Sequence, residues 1–181
     1  MKRIFTAACL MILIPLIVAQ AQAQAKTPAE LGMWVGDWKM AGTAKDTPTE
    51  PEYKLDWQLH GRLILKGHFV QIDHIWKGKR TEDHYLEILS YDPIKGAFLS
   101  SGFQSDGGGW LSTAPFNFKD KTYVENGTFT DVDGKITKFQ ITWIFSDDRM
   151  ALSAIQECEQ DGVRWTGFTV NGTKAKTPVK K

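Results

Sequence analysis

From Asp37 onward, apolar and polar residues alternate with a period of two in short runs. Leu55, Trp57 and Leu59 fall on one side of such a run, with Lys54, Asp56 and Gln58 on the other. Phe139, Ile141, Trp143 and Phe145 alternate in the same way with Lys138, Gln140 and Thr142. This period predicts strands with one buried face. Between the runs stand His60-Gly61, Lys77-Gly78, Asp92-Pro93, Asp106-Gly107-Gly108-Gly109, Asp133-Gly134, Asp147-Asp148 and Asp161-Gly162. These residue types supply the backbone angles of tight turns.

The pattern predicts nine or ten strands, near 37–44, 53–60, 63–76, 82–91, 96–105, 109–118, 121–130, 134–146, 149–159 and 162–171. Short links between consecutive strands make an up-and-down meander. Such a sheet leaves two edges unpaired unless it closes, so the predicted fold is an all-β, closed antiparallel barrel. A β-sandwich is the alternative, but it calls for longer crossovers than the chain offers. Thr27, Pro28 and Glu30 form a capping box for a short N-terminal helix, cut off by Gly32 and Gly36. The polar stretch Gly42 to Pro51 is expected at the barrel mouth.

The chain before this pattern is of another kind. Lys2 and Arg3 precede the apolar run Ile4 to Val18, and Ala19 to Ala25 offers overlapping A-x-A cleavage sites. That is the layout of a secretory signal peptide, expected over residues 1–25. The apolar run is about 15 residues, short of the roughly 20 that span a bilayer. The mature chain of about 157 residues suits one domain, expected over 26–173 with a basic tail at 174–181. It is expected to be secreted or periplasmic. Loss of Lys2 and Arg3 lowers the 22 basic side chains to 20, against 21 acidic ones. Nucleic acid and membrane insertion are therefore not expected partners. Cys9 leaves with the leader, so Cys158 has no intrachain disulfide partner and reads as a buried, inert thiol.

Leu31-Gly32-Met33-Trp34-Val35-Gly36-Asp37-Trp38 puts a short helix and a Gly-x-Trp at the first strand. This resembles the opening of the calycin superfamily, which includes the lipocalins. Gly61-Arg62-Leu63, Tyr91-Asp92-Pro93, Gly96-Ala97-Phe98, Gly127-Thr128-Phe129-Thr130-Asp131 and Phe145-Ser146-Asp147-Asp148 follow in order. Together they resemble a lipocalin-like family of uncharacterised, mostly bacterial proteins. The resemblance implies a lipocalin-like barrel with the Trp plugging its closed end and a later Arg over that Trp, for which Arg149 and Arg164 are candidates. It implies no established activity. The more distant nitrobindin-like barrels bind haem through a histidine late in the chain, and this sequence has no His after His84. No cofactor is expected.

Candidate chemistry is sparse. His68 and His74 would sit on one strand face about 20 Å apart, too far for a shared metal. His60, His68 and His84 could converge from neighbouring strands, but their spacing matches no zinc pattern. There is no G-x-S-x-G nucleophile motif. Glu87 and Glu125 alternate with tyrosines and apolar residues. For Glu87 the expected orientation is outward, with Leu86 and Ile88 inside; for Glu125 parity decides nothing.

Seven tryptophans call either for dense packing or for a ring-lined cavity. More than eight strands leave room for a cavity. The expected function is binding of a small apolar or amphipathic ligand inside the barrel. Its walls would be Trp57, Phe103, Trp110, Phe116, Glu125, Phe129, Phe139 and Trp143, with Ser101, Ser112 and Gln156 as further polar groups. The alternatives are an enzyme moving a proton with a buried carboxylate–tyrosine pair and an interaction protein with a filled barrel.

Overall fold

The computed structural model describes residues 31–79, 82–92, 94, 97–115 and 122–175. A single 3-10 turn, Leu31–Trp34, leads into ten strands. They are β1 (Gly36–Ala44), β2 (Tyr53–Ile64), β3 (Phe69–Lys77), β4 (Glu82–Asp92), β5 (Ala97–Gln104), β6 (Gly109–Pro115), β7 (Thr122–Thr130), β8 (Ile136–Phe145), β9 (Ala151–Gln160) and β10 (Val163–Lys174). Each strand pairs antiparallel with the next, and β10 returns to pair with β1, so the meander closes into a barrel without an edge.

The structure differs from the expected layout in places. The proposed capping box at Thr27 to Glu30 lies outside the described residues, and the helix that follows is one 3-10 turn. His60-Gly61 is not a turn but the middle of β2; the chain reverses instead at Leu65–Gly67, where Leu65 and Lys66 take positive φ angles of 48° and 59°. Gly61 has a packing reason to be glycine, because a Cβ there would lie 1.8 Å from the Trp34 carbonyl oxygen. It lets the 3-10 turn press onto the strand. β10 also runs through Lys174, the first residue of the expected tail.

Odd-numbered turns of the meander (β1–β2, β3–β4 and so on) gather at one end, the mouth; the 3-10 turn covers the other. At the covered end Leu31 and Trp38 are wholly buried, and Trp34 meets Trp143 and Phe145 edge-on at 5.1 and 5.4 Å between ring centroids. Such aromatic contacts add to the gain from apolar burial. A cation does lie over Trp38: it is Lys174, with its Nζ 5.5 Å from the ring centroid. The same ammonium donates to the Met33 carbonyl at 3.0 Å, tying β10 to the 3-10 turn. Arg164 is far out on the surface, bonded to Glu159.

Candidate functional site: a cavity with a carboxylate floor

The covered half of the barrel is filled by Met40, Leu59, Val70, Ile72, Leu89, Phe98 and Val170, all buried. The mouth half is hollow, with a cavity of about 660 Å³. Its upper walls are aromatic: Trp57, Trp76, Tyr85, Trp110, Trp165 and Phe168. Two of these depend on a β-bulge. The register of β10 against β9 shifts between Thr166 and Phe168, so Trp165 and Phe168 both face inward although they are three positions apart. Another depends on Gly102, which pairs with Trp110 across β5 and β6. A Cβ on Gly102 would lie 2.0 Å from the Trp110 ring, so only glycine leaves the indole its place against the wall.

At the floor of the cavity stand two carboxylates. Glu87 on β4 accepts from His74 Nε2 at 2.9 Å and from the Ser100 hydroxyl at 2.5 Å. Glu125 on β7 accepts from the Ser112 hydroxyl and from Trp143 Nε1, the latter at 3.1 Å. Ser100 and Ser112 are cross-strand partners on β5 and β6, so the array runs Glu87, Ser100, Ser112, Glu125 across four neighbouring strands.

Two indoles fix the direction of the bonds on the Glu87 side. An indole N–H can only donate. Trp57 Nε1 gives to His74 Nδ1 at 3.1 Å, so Nδ1 carries no hydrogen. The imidazole is therefore neutral, and its one N–H, on Nε2, points at Glu87. Trp110 Nε1 gives to Ser100 Oγ at 3.1 Å, which turns the hydroxyl hydrogen toward Glu87. Both chains end on the Glu87 carboxylate.

No lysine or arginine reaches either acid among the described residues. Burial, and next the charge of Glu87, push the Glu125 carboxyl up from 4.5 to about 7. Tyr123, on the same strand below Glu125, is raised well above 10 by burial and then by the two acids. Glu125 bonds to Ser112 and Trp143 rather than to a tyrosine, so the expected carboxylate–tyrosine pair is not formed. Burial raises the Cys158 thiol to about 12, which makes it a poor nucleophile.

The eight expected wall residues divide as follows. Trp57, Trp110, Glu125, Phe129, Phe139 and Trp143 line the cavity. Phe103 is 58% exposed on the outer face, because Gly102 is the inward residue there. Phe116 lies outside the described residues. Of the further polar groups, Ser112 and Gln156 face in; Ser101 alternates with inward Ser100 and Gly102 and faces out. The outward orientation expected for Glu87 is overturned by its bonds to His74 and Ser100, and Leu86 is the exposed neighbour. His74, Trp76, Tyr85, Trp165 and Phe168 are wall residues outside the expected set.

The histidines do not converge. His60 is at the covered end beside Asp37, His68 sits in the turn before β3, and His84 is on the rim bonded to Glu82. Among the described residues no three His, Cys, Asp or Glu side chains are grouped to hold a metal ion.

No protein-family model and no curated protein matches this chain. Among solved structures, the crystal structure of Rv2717c from M. tuberculosis superposes with a TM-score of 0.63 at 15% identity, covering 82% of this chain and 98% of that one. At that identity the likeness shows a common barrel fold and carries no function with it.

Proposed function

We propose that this chain is an exported, lipocalin-like barrel that binds a small apolar or amphipathic molecule in its mouth half. The observation that carries the reading is the 660 Å³ cavity, walled by aromatic rings and ending on a few convergent polar groups. That volume falls within the range of small-molecule sites, and apolar walls with few polar anchors are their usual make-up. A filled barrel serving only as an interaction surface would have no such hollow. Export rests on the leader pattern of residues 1–25.

Binding is tested with the neutral probe N-phenyl-1-naphthylamine, followed by probe emission and by energy transfer from the tryptophans. The expected result is saturable one-to-one binding that is lost when Gln156→Trp fills the cavity. Linear, unsaturable emission, or binding unchanged in that variant, would contradict the reading. Proton transfer by Glu125 is the second reading, favoured by its carboxyl near 7. It predicts that Glu125→Gln still binds a substrate yet no longer turns it over.

A further inference from the structure

We infer that the molecule held in this cavity is a cation, an amine carried on an apolar or aromatic body, with its ammonium group seated between Glu87 and Glu125. The inference rests on the binding function proposed above and specifies its ligand.

Three independent features point the same way. First, the floor holds two carboxylates without a countercharge. The imidazole on Glu87 is neutral by its bond from Trp57, and Glu125 has only a hydroxyl and an indole as partners. A buried acid with no cationic partner costs stability, and an ammonium group arriving from solution would remove that cost. Each carboxylate oxygen accepts one hydrogen bond in the structure, so each retains capacity for an N–H donor.

Second, the walls above the floor are ring faces and edges. Trp57 packs against Trp76 at 5.1 Å and against Phe168 at 5.4 Å, and Tyr85 lies 6.1 Å from Trp110. Rings draw a cation toward their faces, most strongly where water is excluded.

Third, acids outnumber lysines among the described residues of the entrance. Asp46, Glu50, Asp106 and Asp131 line the rim there, against Lys45, Lys79 and Lys135. Lys79 is held by Glu50 at 2.9 Å. A cleft lined with an excess of one sign draws in the opposite charge. An anionic ligand such as a fatty acid would meet repulsion at the rim and again at the floor.

The groups that face Glu125 are Glu87 from β4 and Tyr123 on its own strand, with His74 from β3 beyond Glu87. The Glu125 carboxyl lies near 7, so amine binding should weaken as pH falls below that.

The test is a matched series on the full chain: 2-(2-naphthyl)ethylamine, 2-(2-naphthyl)ethanol and 2-naphthylacetate, each displacing N-phenyl-1-naphthylamine at pH 8. The expected order is amine first, by at least about tenfold over the alcohol, with the acid weakest. Glu125→Gln should reduce the amine's advantage severalfold while leaving the alcohol unchanged. Phe103→Ser, on the outer face, should preserve the preference, and Glu87→Gln, which removes the other floor charge, stands in if the Glu125 variant does not fold. Equal binding of amine and alcohol overturns the cation inference and leaves the cavity function standing. Preference for the acid overturns it as well. Failure of the probe itself to bind overturns both.

Discussion

The two halves of this barrel are built by the same strands and differ only in what those strands point inward. Toward the covered end, the inward positions of β3, β4 and β10 are Val70, Ile72, Leu89 and Val170, and the interior is solid. Two or four residues nearer the mouth, the same strands carry His74, Glu87 and Phe168, and the interior is hollow with a charged floor. The filled half supplies cohesion by burying apolar surface. The hollow half forgoes packing and holds Glu125, whose raised carboxyl weakens the folded state at neutral pH. That division places the packed core and the cavity in different layers of one sheet.

The largest effect should come from breaking the filled half. Trp38→Ala removes a wholly buried indole, and the expected loss is about 3–5 kcal/mol in urea unfolding. The hollow half should respond in the opposite sense. Glu125 ionises less readily in the folded chain than in the unfolded one, 4.5 being the ordinary value and about 7 the folded one. The folded state thus holds an extra proton between those values, and stability falls as pH rises through the window. Glu125→Gln should abolish that slope and raise stability at pH 8 by about 3 kcal/mol, read from unfolding curves at pH 4.5, 6 and 8.

A smaller change sharpens the comparison at the wall. Gly102→Ala forces Trp110 off its seat and off Ser100, with an expected loss of about 1–3 kcal/mol and a clear drop in probe binding. The smallest effect belongs to the outer face. Phe103→Ser should alter stability by under about 0.5 kcal/mol and leave probe affinity as it is.

Strand existence, order and closure were legible in the sequence because turn residues and two-residue alternation report them directly. Orientation was legible only where the two faces differ in polarity. In β2 and β8 they do, and Trp57, Phe139 and Trp143 were placed correctly. In β4 the run Leu86-Glu87-Ile88-Leu89 is apolar on both faces, so Glu87 was turned outward. In β5 the inward residues are Ser100 and Gly102 and the outward one is Phe103, the reverse of the usual polarity, because a small residue was needed opposite Trp110. Trp165 and Phe168 share the cavity through a bulge that alternation does not foresee. The available signal for Glu87 lay in register: with β3 paired to β4, His74 is level with Tyr85, diagonal to Glu87 on the same face.

The carboxylate floor is buried without a countercharge among the described residues. Carboxyl carbon NMR of the ligand-free protein, with Glu125 assigned by its loss in Glu125→Gln, measures that directly. The predicted titration midpoint is about 7. A midpoint at the ordinary value of 4.5 would mean that the floor is wet or paired, and would contradict the account.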